Sequence, residues 1–484
     1  MSFAQNSPKV VLDSSEILFS VLTSINACGY DQELSVSDPL RAEIRGQVAK
    51  NVEASEDATQ AANLMCQYYK EHQTQDASKD LASYVSLALY LTGPPFLPKV
   101  KDTDLPPDAR AIAGFVPLMQ AFYDKAGLAA VWQQHRDGYA ALTQRYHEPL
   151  SKMFFETEVY LKIPSSVYLG QQFTIYLDPM GAPGQTNARN YGADYFVVIS
   201  PAGSSLKMQE IRHTYLHYLL DPLAAKYAGS VKRLEPILET VKTAPMEESF
   251  KNDISLLVTE CFVRAIEART MGAKIAESER QNVVENSVEE GYVLTQYFYD
   301  AMVQFEKDPA GIRNAYAEIL DKIDVNKEKK RLAQIQFAQK ASPELLHLSN
   351  STNNQLLVMA EQRLNAGDSE GAQKLAQQAL DENQGDQGRA LFILAQIATM
   401  NRDMQGARTY FEHALQVAQE PKVVAWSHIY LGRIFDLQEN REAALTHYRA
   451  ALVAGTSLPA AKAAAEKGLQ QPYEPPASAR QPQQ

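Results

Sequence analysis

The residues of this chain best suited to chemistry are His213 and His217. In the stretch His213-Thr-Tyr-Leu-His217 they stand one helical turn apart, so both imidazoles can reach one metal ion. Two imidazoles suit zinc, and a carboxylate from elsewhere completes a His2Glu set with water at the fourth position. Hydrolysis at such an ion also needs a base beside the metal-bound water. A glutamate directly after the first histidine is the usual supplier. Thr214 holds that position, and its hydroxyl has no basicity near neutral pH. Glu210 lies on the same helical face, three residues before His213 and seven before His217. It is the candidate substitute base, or an outer partner of His213. Its plainer role is a first-turn carboxylate complementing the helix dipole.

With nine histidines in 484 residues, a chance pair at this spacing is expected roughly 0.2 times, so the surrounding elements carry weight. Tyr195 to Ser200 is a short β-branched run and reads as a strand. A loop with Pro201, Gly203 and Ser204-Ser205 follows, and either serine can cap the next helix. That helix carries both histidines. Ile254 to Arg269 is a second strong helical pattern, with Glu260, Arg264 and Glu267 on one stripe. Glu260 is the expected third ligand. The competing reading is a Glu260–Arg264 pair on a solvated face.

The stretch His213 to Pro222, HTYLHYLLDP, resembles the gluzincin clan of metallopeptidases. It is similar to bacterial families in which H-E-x-x-H is followed by a small or aromatic residue, two apolar residues and Asn-Pro or Asp-Pro. Their downstream ligand helix carries Glu and then an Arg-Ala pair, as in Glu260 to Ala265. The resemblance covers roughly residues 150–330. It implies a zincin-like α+β fold with His213, His217 and Glu260 as zinc ligands, and Thr214 departs from its pattern.

A net charge of −12 argues against nucleic acid and anionic membrane surfaces as partners. No apolar run reaches the length of a membrane span. Cys28, Cys66 and Cys261 form no C-x-x-C pattern, and Cys28 with Cys66 can pair in an oxidising compartment. Ser2-Phe3-Ala4 before Gln5 has the small-x-small form left by signal peptidase, so residues 1–7 read as a signal-peptide remnant. Export to the periplasm or outside is the expectation, with the cytoplasm as the alternative.

Residues 8–150 read as helical and 151–335 as the zincin-like domain. Within the latter Glu158–Ile163, Phe173–Leu177 and Tyr195–Ser200 are expected strands. Residues 350–470 repeat. Ala360, Ala372 and Ala379 are matched by Ala395, Ala407 and Ala414, then by Gly432, Ala444 and Ala451, at constant intervals of 12 and 7. This resembles three tetratricopeptide repeats plus a capping helix, an all-α solenoid in which small residues let helices cross closely. Residues 471–484 are Pro/Gln-rich and read as a disordered tail. The first helices of such repeats line a groove, here given to Asn354, Glu361, Arg389, Phe392, Gln396, Trp426, Ile429 and Arg433. An external protein or peptide partner in that groove is the favoured expectation, and docking on the chain's own zincin-like domain, to position substrate near His213, is the alternative. The functional expectation is a catalytically impaired metallopeptidase-like protein that binds a partner. The alternatives are an active endopeptidase using Glu210 and a structural adaptor with a vestigial site.

Overall fold

Segments from distant parts of the chain, some β-branched and aromatic and one largely polar, assemble a five-stranded mixed sheet. The computed structural model describes residues 10–474 except 75, 164–171, 192–193, 204–205, 273, 341, 343–345, 349–354, 366, 383–384, 419 and 456–457. The segment 1–7, the Ser204-Ser205 cap, Asn354 and the tail beyond residue 474 lie outside the described residues. The strands are β1 (Val10–Asp13), β2 (Gln172–Leu177), β3 (Thr186–Tyr191), β4 (Asp194–Ile199) and β5 (Leu346–Leu348), in the order β1-β2-β4-β3-β5. β3 runs antiparallel to β4, and the other pairings are parallel. Strand side chains alternate between faces. Phe173, Ile175, Leu177, Tyr195, Val197 and Ile199 are fully buried on the inner face.

Helices cover that inner face. α1 (Glu16–Ala27) packs on α2 (Leu128–Tyr160), which lies on the strands together with α3 (Met208–Lys226), and α4 (Ile254–Arg269) packs on α3. Ser15 caps α1 by accepting from the Leu18 N–H. Cys28, just past its end, is disulfide-bonded to Cys66. α2 corrects two expectations. Residues 158–160 close this helix and do not start a strand. Buried Leu142, Tyr146, Leu150, Met153 and Thr157 keep helical spacing, and Phe154 packs on Phe173 and Tyr215. That packing overrides the strand propensity of Val159 and Tyr160. α2 also runs straight across residue 150, and buried side chains from Leu18 to Leu332 form one cluster. The helical N-terminal region and the sheet therefore share a core.

The C-terminal part is a run of paired helices: α5 (Gln355–Asn365) with α6 (Ser369–Asp381), α7 (Gln387–Met400) with α8 (Met404–Val417), and α9 (Pro421–Leu437) with α10 (Arg441–Ala454). A last helix, α11 (Pro459–Gln470), packs on α10. All nine small residues of the repeat register are buried. At Gly432 an added Cβ would lie 2.6 Å from the Tyr448 ring, so close helix crossing demands glycine there.

The array does not stand apart from the sheet. β5 lies in the connecting segment and pairs with β3. α5 packs against α3, and Lys422 at the start of α9 pairs with Asp194 of β4.

One contact within the array predicts acid lability. The Nδ1 atoms of His428 on α9 and His447 on α10 are 3.0 Å apart. One nitrogen must donate and the other accept, so the accepting ring is neutral and the bond is lost when both rings are protonated. Burial pushes His428 down to about 4, aided by His447. Burial lowers His447 as well, with Glu412 opposing and Arg408 assisting. A depressed histidine means the unfolded chain binds the extra proton. Stability is therefore lost as pH falls from about 6.5 through 4, by about 1–3 kcal/mol. Melting temperatures at neutral and acid pH check this, and His428→Gln should flatten the difference.

Candidate metal centre

α3 is buried nearly all round, with Ile211, Tyr215, Leu216 and Leu220 fully enclosed. Tyr215 and Tyr218 lock it to the sheet by ring contacts with Phe173. Asp253 caps α4 by accepting from Ser255 and Leu256. α4 packs along α3, which brings Glu260 opposite the two histidines. His213, His217 and Glu260 are 3%, 4% and 1% exposed.

Their donor atoms converge. Glu260 Oε2 lies 3.0 Å from His217 Nε2 and 3.4 Å from His213 Nε2. Two ligands each about 2.0–2.1 Å from a tetrahedral zinc stand roughly 3.3–3.4 Å apart. The group can therefore hold a metal ion. Each histidine is also held from behind. His213 Nδ1 faces Glu267 Oε1 at 3.2 Å, and His217 Nδ1 faces Asp221 Oδ1 at 3.1 Å. A carboxylate at Nδ1 takes the N–H there and leaves Nε2 as the lone-pair nitrogen, the state a metal requires. Asp221 is itself held by Tyr195 from the sheet. Glu260 Oε1 accepts from Arg264 Nε at 2.5 Å, and Arg264 is further fixed by Glu290 and by the Tyr292 ring. The Glu260–Arg264 pair thus exists, but in the interior, not on a solvated face.

The electrostatics demand positive charge. Burial disfavours a charged imidazole, but Glu260 and Glu267 outweigh it and push His213 up to about 10. Asp221 and Glu260 do the same for His217, pushed up to about 9. Burial of Glu260 is outweighed in turn by His213 and Arg264, which hold it well below the usual carboxylate range. Such a site holds either protons or a metal cation.

Thr214 is fully buried, and its hydroxyl donates to the Glu210 backbone carbonyl at 3.1 Å. The Glu210 carboxylate pairs with Lys207 at 3.2 Å, and Glu267, not Glu210, is the outer carboxylate bonded to His213. Glu267 and Asp221 were not singled out as site residues. Their signals were present: Glu267 is seven residues after Glu260 on the same stripe, and Asp221 is one turn after His217.

The expected groove residues are not an open surface. Glu361, Arg389, Phe392 and Gln396 face a cavity shared with the sheet residues Tyr176 and Phe196. Arg389 is bonded to Glu361 by two hydrogen bonds. Trp426 and Ile429 are buried in the array core. Arg433 lies over the rings of Tyr430 and Tyr473. A face carrying Phe392 is better covered than wet, and the chain's own sheet covers it.

No protein-family model, curated protein or solved structure matches this chain.

Proposed function

We propose that this chain is a zincin-like metal-binding protein that has given up peptidase turnover, followed by tetratricopeptide-like repeats docked on its sheet. The observation that carries the reading is the convergence of His213 Nε2, His217 Nε2 and Glu260 Oε2, with each Nδ1 held by its own carboxylate. A bound zinc would supply Lewis acidity. The protein residues supply orientation through Asp221 and Glu267, and charge balance through Arg264.

Three observations favour binding over hydrolysis. Thr214 stands where the base is needed, and its hydroxyl is spent on its own helix. Glu210 is committed to Lys207. β5 occupies the outer edge of β3, which an extended peptide would otherwise join by strand addition.

The test is a matched pair of measurements on the full chain. Zinc content should be about one per chain, as the His2Glu rule requires. Cleavage of an unfolded protein substrate should be at background. Thr214→Glu should raise cleavage by roughly 10²–10⁴-fold if the rest of the site is competent. Strong zinc-dependent cleavage by the unaltered protein would overturn the reading.

A further inference from the structure

A second charged cavity lies on the face of the sheet opposite Phe173 and Tyr195. The strands and the helices α5, α7 and α9 enclose about 160 Å³ there. Its sheet-side wall is aromatic. Ring centroids run from Tyr90 to Tyr191 at 4.4 Å, Tyr191 to Phe196 at 5.8 Å, and Phe196 to Tyr176 at 6.3 Å. Asp13 sits opposite Tyr176 in the register of β1 and β2.

The lining is short of positive charge. Five carboxylates and three cations contribute to it. Arg389 is matched by Glu361 through hydrogen bonds of 2.5 and 2.6 Å. Lys422 is matched by Asp194 Oδ2. Lys99 donates to the Leu89 carbonyl at 2.8 Å. Asp194 Oδ1 is buried without a hydrogen-bond partner among the described residues. Burial raises both Asp13 and Glu420 from their ordinary values, with Arg389 and Lys422 pulling Glu420 back. A buried acceptor left unmatched costs roughly 1–3 kcal/mol, and a charged one more, so such an atom points to something that completes it.

Carboxylates facing a strip of tyrosine rings form the chemistry that recognises organic cations. The ring faces attract the spread positive charge while the acids neutralise it. A cavity of about 150 Å³ takes a ligand the size of benzene. We infer that this cavity binds a small organic cation, an alkylammonium or quaternary ammonium, with its charge between Asp194 and Glu420 and its carbon atoms against Tyr176 and Phe196. Lys99 competes for the same field. Burial holds it down to about 8, against Glu420 and Asp194, so its charge is easily surrendered to an incoming cation.

Calorimetric titration of the full chain tests this with choline, n-butylammonium, the neutral choline isostere 3,3-dimethylbutan-1-ol, and glycine betaine. One of the two cations should bind at least tenfold more tightly than the neutral isostere. Tyr176→Leu and Glu420→Gln should each weaken that binding about tenfold. Lys99→Met should strengthen it. Melting curves of each variant separate loss of the ligand from loss of the fold. Equal binding of the isostere, or no binding of either cation at about 10 mM, would overturn the inference. So would betaine binding more tightly than choline and being abolished by Lys99→Met, which would identify a zwitterion site.

Discussion

His213→Ala should abolish metal binding at the proposed centre. Apparent zinc affinities of about 10–16 kcal/mol, divided over three protein ligands, give roughly 3–5 kcal/mol for each, or about 10²–10³-fold or more in affinity. After dialysis, zinc measured by plasma mass spectrometry should fall from about one per chain to below about a tenth. Glu260→Gln should do the same and also cost stability. Glu260 is 1% exposed and binds Arg264, so neutralising it leaves a guanidinium with reduced compensation. Breaking a buried pair from one side costs roughly 3–5 kcal/mol, and the Glu290 contact of Arg264 keeps this case at the low end. Asp221→Asn and Glu267→Gln touch only the outer nitrogens, and each should weaken zinc about 10–100-fold. This graded order is the signature of a metal site. Wild-type protein that retains no zinc from a micromolar solution would remove the centre from consideration.

The second large effect is on the union of the repeats with the sheet. Lys422→Glu sets a like charge against Asp194 across the junction of α9 with β4. The lost partner of an enclosed pair costs roughly 3–5 kcal/mol, and reversal adds repulsion. The melting temperature of the whole protein should drop. Proteases should then cut between α4 and α5, where β5 would no longer be held. An unchanged melting temperature would show that the array stands free and that its face is open to partners.

The site was more legible than the scaffold. The spacing of His213 and His217 and the stripe through Glu260 are local, and local periodicity survives folding unchanged. The nine small residues of the repeats were legible for the same reason. Pairings between distant segments were not. Nothing in Val10 to Asp13 announces a strand whose partner begins at Gln172. β3, with the sequence TNARNY, carries the polar residues that strand signals exclude, and its pairing depends on β4 and β5. Residues 158–160 have strand-forming types, but the helix they close is set by the buried residues before them, from Leu142 to Thr157. The covering of the repeat face is not legible either, because spacing says which side chains share a face, not what covers it.

The place of β5 in the sheet has a consequence for synthesis on the ribosome. β3 emerges early and pairs at once with β4, its neighbour in sequence. Its other edge has no partner until Leu346 is made. The ~150 intervening residues take roughly 8–30 s to translate. Throughout that interval a half-built sheet offers a bare strand to other nascent chains. Asn187, Arg189 and Asn190, all buried in the finished protein, make that strand a poor template for foreign pairing. Apolar replacements at these positions are therefore a hazard to folding yield during translation, even where the completed protein tolerates them.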